Sequence, residues 1–210
     1  MSAAARAQEV LQFWFGLKPY TAAQVIQRSR LWFGNPDAPE LTPQTDELIQ
    51  SQFAGSTAAA ARGELAAWES SPRRRLALIL LLDQFPRHIY RGSAAAYAQD
   101  DKALRLAVSG MQFGADAALD PLERMFFYMP LVHAESLEVQ EEGVAAFRRL
   151  LDEAPPELRS YFEDCLRHAQ QHRDLIARFG RFPHRNKVLG RESSAAEIEY
   201  LASEREDFAQ

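Results

Sequence analysis

The sequence predicts an all-α fold, and composition and punctuation both point there. The 210 residues include 34 Ala and 24 Leu against 7 Val, 6 Ile and 4 Thr, a bias towards side chains that lose little freedom in a helix and away from β-branched strand formers. Capping residues followed by proline at the first helical position recur at Thr42-Pro43, Ser71-Pro72 and Asp120-Pro121. Gly16, Gly114 and Gly180 each follow an aromatic residue and suit left-handed C-terminal caps.

Taken in order, these signals predict about nine helices, over 3–15, 22–30, 43–67, 72–85, 94–112, 121–129, 136–153, 157–179 and 195–205, packed as a bundle or an array of helical hairpins. The first ends at Gly16, and the second opens on a capping box of Thr21 and Gln24. The stretch 34–42 is the most loop-like, and the alanine run 58–61 reads as the interior of the third helix. In the fourth, Leu76 to Leu82 is apolar on every side, which makes it the central, surrounded helix. Pro86 should stop it, and Pro130 should stop the sixth, which begins at the Asp120/Glu123 capping box. Ser136 reads as the N-cap of the seventh. In the eighth, the apolar steps Leu158, Phe162, Cys165, Ala169, Ile176 and Phe179 place His172 on the inward face. Ser194 with Glu197 opens the last.

No linker or low-complexity stretch divides the chain, so one domain over 1–210 is expected. Lys plus Arg total 24 and Asp plus Glu 29, a balance of −5 that repels phosphate backbones and excludes a general nucleic-acid binder. The single Cys165 excludes an internal disulfide and a Cys-built zinc site. No apolar run approaches a membrane span, and Arg6, Gln8 and Glu9 interrupt any leader-like start. A soluble cytoplasmic protein is the expectation.

Positive charge is concentrated in two places. Pro72 to Arg91 carries +4 and Arg173 to Arg191 carries +5, leaving −14 for the rest of the chain. Both segments surround matching turns, Gln84-Phe85-Pro86-Arg87-His88 and Arg181-Phe182-Pro183-His184-Arg185, and an aromatic-proline stretch also precedes His133. If the turns meet, Arg87, Arg91, Arg181, Arg185 and Arg191 converge with His88, His184 and Asn186, offering forked donors to a carboxylate or phosphate. An anionic small molecule or a peptide carboxylate is the ligand this implies. The alternative is that the arginines pair with Asp83 and Glu135 and only tie loops together. Arg185→Ala would then cost several kcal/mol if it left a buried carboxylate alone.

Asp83 follows seven apolar residues, so it is expected to be buried and to need a partner, either Arg87 at i+4, the nearest in sequence, or an arginine from the second turn. It is read as a pinned helix end before a catalytic carboxylate. His172 is read as a hydrogen-bonded interior residue before a ligand or proton carrier. Asp164, His168 and His172 share a helical face but lack the glutamate of a His-Glu-x-x-His site, and no metal is assigned. His133 and Glu135, two apart, line a pocket together only if the backbone after Pro130 is extended, with Gln140 joining them. Trp14, Trp32 and Trp68 are read as core anchors and Cys165 as an inert buried thiol.

Val10–Gly16, Leu81–Arg87, Phe126–Glu135, Phe179–Asn186 and Leu189–Arg191 together resemble the mainly bacterial domain-of-unknown-function 924 family, from about Val10 to Leu201. The resemblance implies a fold similar to tetratricopeptide-like helical arrays and no established activity, cofactor or substrate. Its pattern falls here on Asp83, Gln84, Arg87, Arg91, His133, Glu135, Gln140, His172, Arg178, Arg181, His184, Arg185, Asn186 and Arg191. The chain departs from that pattern with His88 in place of Asn and Ala134 in place of Ser. The expected site thus has His133, His172 and His184 as candidate proton carriers and the remaining pattern residues as ligand contacts.

Overall fold

The computed structural model describes residues 3–34 and 38–203. Among the described residues there is no strand, and the helices are α1 (Ala3–Phe15), α2 (Ala22–Phe33), α3 (Thr42–Ala61), α4 (Pro72–Asp83), the short α5 (Phe85–Ile89), α6 (Asp100–Gln112), α7 (Pro121–His133), α8 (Leu137–Asp152), α9 (Arg159–Phe179) and α10 (Ala195–Ser203). None is long and apolar enough to cross a membrane.

The all-apolar run makes α4 the centre, as expected: Leu76 to Leu82 are all buried, and α4 packs against α1, α3, α6 and α7. Each side chain buried this way stabilises the fold by about 1.5–3 kcal/mol. At its C-terminal end an aromatic layer closes the core, with Trp14 against Phe85 at 5.2 Å and Phe126 at 5.5 Å, and Trp32 against Phe126 at 4.7 Å. Trp68 is also fully buried, so all three tryptophans are core anchors. From α6 onward each helix packs on the next, α6 on α7, α7 on α8 and α8 on α9. This arrangement brings the ends of α4, α7 and α9 to one end of the molecule.

Several boundaries differ from expectation, each for a physical reason. The capping boxes at Thr21 and Asp120 and the Ser194/Glu197 reciprocal pair are present, but Thr42 lies inside α3, whose N-cap is Leu41 of a preceding 3-10 turn, Pro39–Leu41. Residues 35–37 of the expected loop and 204–205 of the expected last helix lie outside the described residues. Ser71 and Ser136 stand at N-cap positions without a side-chain cap bond. Helix α3 ends at Ala61, where Gly63 at φ +82° turns the chain. The expected 94–112 helix breaks into a 3-10 turn, Ala94–Ala96, and α6.

The prolines diverge most. Pro86 sits in the first turn of α5, where a missing amide costs nothing, so the chain stops at Asp83 and restarts two residues on. Pro130 does not end its helix: α7 continues to His133. An interior proline costs roughly 3 kcal/mol. Complete burial of Phe126, Phe127, Tyr128 and Leu131 around it offsets that cost, and the three further residues carry His133 into the core.

Gly110 of α6 is tightly enclosed. A Cβ there would lie 2.5 Å from Phe127 Cζ and 2.8 Å from Arg75 Cδ, closer than packed carbons tolerate. Gly110→Ala is expected to lower stability by about 1–3 kcal/mol despite alanine's better helix propensity. Chemical denaturation measures this, and a neutral or stabilising result would show that the contact relaxes.

Candidate functional site

Asp83, the last residue of α4, is 0% exposed because the helix that carries it is apolar on all sides. Its Oδ1 accepts from His133 Nδ1 at 2.7 Å and its Oδ2 from the Gln84 amide at 2.6 Å. Arg87 Nη1 stands 3.5 Å from Oδ1 and donates to the Asp83 carbonyl. Burial opposes ionisation of Asp83, but His133, Arg87 and Gln84 hold its carboxyl well below the usual range. Arg87, set one turn on by α5, also forms a two-pronged pair with Asp100 at the start of α6, both contacts at 3.0 Å.

His133 arrives from the far end of α7. The backbone turns extended immediately after it, at Ala134 (φ −73°, ψ 138°), and Gln140 fixes that turn by donating to the Val132 and Ala134 carbonyls, each at 2.8 Å. His172, inward on α9 as its spacing predicts, donates from Nδ1 to the same Val132 carbonyl at 2.8 Å.

The turn after α9 delivers the third component. Phe182 to Arg185 leads through a 3-10 turn that places the Arg185 guanidinium over two rings, 4.7 Å from Tyr97 and 4.5 Å from Phe182. Arg185 Nη1 donates to the His133 carbonyl at 3.1 Å and lies 3.4 Å from Asp100. Its Nε and Nη2 are buried with no hydrogen-bond partner among the described residues. Burial and the neighbouring Arg87 bring its pKa down to about 10, which still leaves it charged at neutral pH. The two distant basic turns therefore meet, with Asp100 accepting from both arginines.

The three histidines are held neutral. Burial lowers His172 to about 3 and His184 to about 4, and Arg185 adds to both. His133 is lowered by burial and Arg87 despite Asp83. Because Asp83 is ionised and can only accept, the neutral His133 carries its proton on Nδ1 and its lone pair on Nε2. His133 is backed by the Asp83 carboxylate, the geometry of a general base.

A family model described as bacterial protein of unknown function (DUF924) matches residues 10–205. The chain belongs to the DUF924 family. A solved structure of a protein of unknown function, ATU0120 from Agrobacterium tumefaciens, is 34% identical, covers 97% of this chain and 100% of its own, and superposes with a TM-score of 0.79. No curated protein matches the chain.

Not every DUF924-pattern residue reaches the cluster. Arg191 pairs with Glu135 at 2.6 and 3.0 Å and donates from Nε to Asn186 Oδ1 at 3.0 Å, while Glu135 also accepts from the Phe182 amide at 2.8 Å. These three residues shape the Phe182 turn from outside. Asp46 draws Arg91 away towards α3, at 2.6 and 3.0 Å, and takes His88 with it at 2.8 Å. Buried Glu197 holds Arg181 at 2.7 and 2.8 Å, and Arg178 lies exposed over Phe179 and Tyr200. The expected convergence thus holds for Arg87 and Arg185 and fails for Arg91, Arg181 and Arg191, because Asp46, Glu197 and Glu135 claim them; Arg178, a further pattern residue, is turned outward by α9. His184 stacks on Phe182 with ring centroids 5.5 Å apart. Tyr97, Asp100 and Phe182 belong to the site although sequence reasoning did not select them: Asp100 reads as an ordinary acid in a first helical turn.

Proposed function

We propose that this DUF924 protein binds a small anionic molecule whose carboxylate or phosphate is taken by the Nε–Nη2 edge of Arg185. The observation that carries this reading is the pair of buried donors on that edge without a protein partner. A buried donor left unmade costs about 1–3 kcal/mol, and more on a charged group, so a ligand supplying two acceptors recovers it. Tyr97 and Phe182 pack against the guanidinium and Asp100 and His133 occupy Nη1, which leaves an edge whose fork matches a planar anion. The free Cys165 thiol, driven up to about 12 by burial, is inert and fits a cytoplasmic setting.

A second reading has an observation of its own. Arg87, Arg181 and Arg191 each form complete two-pronged pairs with Asp100, Glu197 and Glu135, so these arginines act as ties between segments. A third reading, a tetratricopeptide-like module holding a peptide's terminal carboxylate, would use the same Arg185 edge. At 4% exposure that edge suits a small molecule better than a chain end.

Thermal denaturation with phosphate, formate, acetate and dicarboxylates tests the proposal. Saturation at about a hundred times Kd should stabilise by roughly 2.7 kcal/mol, raising Tm by about 5–10 °C. Arg185→Lys, which keeps the charge and loses the fork, should abolish the rise. No shift with any anion at tens of millimolar would reject it. Arg185→Ala itself should cost only about 1–2 kcal/mol, because Asp100 keeps both contacts to Arg87 and no carboxylate is left alone.

A further inference from the structure

We propose that residues 181–203 form a cap that opens about Gly180 and gates the Arg185 edge, with Glu135 as its latch. This rests on the reading of Arg185 as the anion anchor and adds how an anion reaches it. The need for movement comes from burial. Arg185 is buried, with Tyr97, Phe182, Asp100 and the His133 carbonyl against its guanidinium. The donors that the closed fold leaves unpaired are therefore out of reach of bulk solvent, and an anion that takes them must arrive while part of the chain stands aside.

The segment that carries Arg185 is built to do so. Within itself it is cross-tied: Arg181 pairs with Glu197 at 2.7 and 2.8 Å and donates to the Glu192 carbonyl at 2.8 Å. The Asn186 amide donates to Ser193 Oγ at 3.0 Å, and Arg191 Nε donates to Asn186 Oδ1 at 3.0 Å. These ties make the turn and α10 one body. Its apolar attachment to the rest is thin, because Phe182 and Tyr200 pack with Leu175, Ile176 and Phe179 of α9 in a small cluster separate from the main core. Gly180, at φ +70°, has nothing within 4 Å of where a Cβ would sit, which makes it an uncrowded pivot.

The polar attachment centres on Glu135, in the corner between α7 and α8. Its carboxylate accepts from the Phe182 amide at 2.8 Å and from Arg191 Nη1 and Nη2 at 2.6 and 3.0 Å. One side chain of the body thus holds both ends of the turn. Glu135 and Arg191 are both partly exposed, so water replaces these bonds when the cap lifts and the cost of opening stays low.

Amide hydrogen exchange of the full chain, read residue by residue, tests this. The amides of Arg185, Asn186, Arg191 and Ile198 bond within the cap and do not touch Glu135. They should exchange together, at least about a hundredfold faster than the amides of Ile79 to Leu82 in α4. In Glu135→Ala all four should speed up by a common factor of about ten while α4 is unchanged; Glu135→Gln, which keeps one acceptor for the Phe182 amide, should give about threefold. Saturating inorganic phosphate, formate or acetate should slow the same four in the unaltered protein, because a seated anion holds the cap down. Four amides as protected as those of α4, unequal factors among them, a rise confined to the Phe182 amide, or a rise that includes α4 would each overturn the cap and leave the anion site to its own thermal test. Exchange that responds to Glu135→Ala and to none of the three anions would remove the anion site and leave the cap standing.

Discussion

Asp83→Ala is expected to be the most damaging single change in this protein, costing about 3–5 kcal/mol. The carboxylate is fully buried and receives His133, Gln84 and Arg87. Removing it orphans the His133 Nδ1 proton and one Gln84 amide proton in a place water does not reach, and leaves the cationic Arg87 to Asp100 alone. Each orphaned group adds its desolvation cost to the lost attraction. Asp83→Asn keeps the volume and one of the two accepting oxygens, so one bond survives and the second needs the Gln84 amide to flip; it should cost about half as much. Denaturant midpoints at unchanged slope measure both, and a loss below about 1 kcal/mol for the alanine variant would show that Asp83 is not the keystone of this end of the fold.

Acidification gives the second large effect. His172 and His184 have folded-state pKa values of about 3 and 4 against 6.5 in the unfolded chain, and His133 is lowered as well. Below pH 6.5 the unfolded chain takes up protons that the native protein refuses, so stability falls as pH falls. Each such histidine contributes up to about 1.4 kcal/mol per pH unit over the interval between its two values. The carboxylates act in a lower window: Asp83, Glu135 and Glu197 are all lowered in the fold, so their contribution is complete above the ordinary carboxylate range and is lost only as pH drops through it. Tm should therefore decline from pH 6.5 downward and steepen below about 4. A flat Tm between pH 7 and 5 would mean that the histidines are not held neutral by burial.

Local chemistry explains what could be read in advance. Caps at Thr21, Asp120 and Ser194, the surrounded α4 and the inward face of His172 all depend on residues within one or two helical turns, and they stand as expected. Pro130 was misleading because the rule for proline is local while the burial that overrides it comes from the whole core. The partner of Asp83 lies fifty residues away at His133, whereas the sequence offered Arg87 or an arginine of the second turn. Likewise nothing near Arg91 or Arg181 announces Asp46 or Glu197 as their destinations. The meeting of the two Phe-Pro turns was legible from their likeness, but which side chains share the cluster depended on which acid each arginine met.

The Asp83–His133–Asp100–Arg185 circuit has a consequence for the order of events during synthesis. Its parts come from four separate stretches, and the last to be made supplies Arg185 and the Phe182 ring beneath it. A nascent chain can complete the α4 core long before it can complete this circuit. Truncation ahead of Phe182 would leave a helical body whose polar end stays open to water and lacks the Arg185 turn.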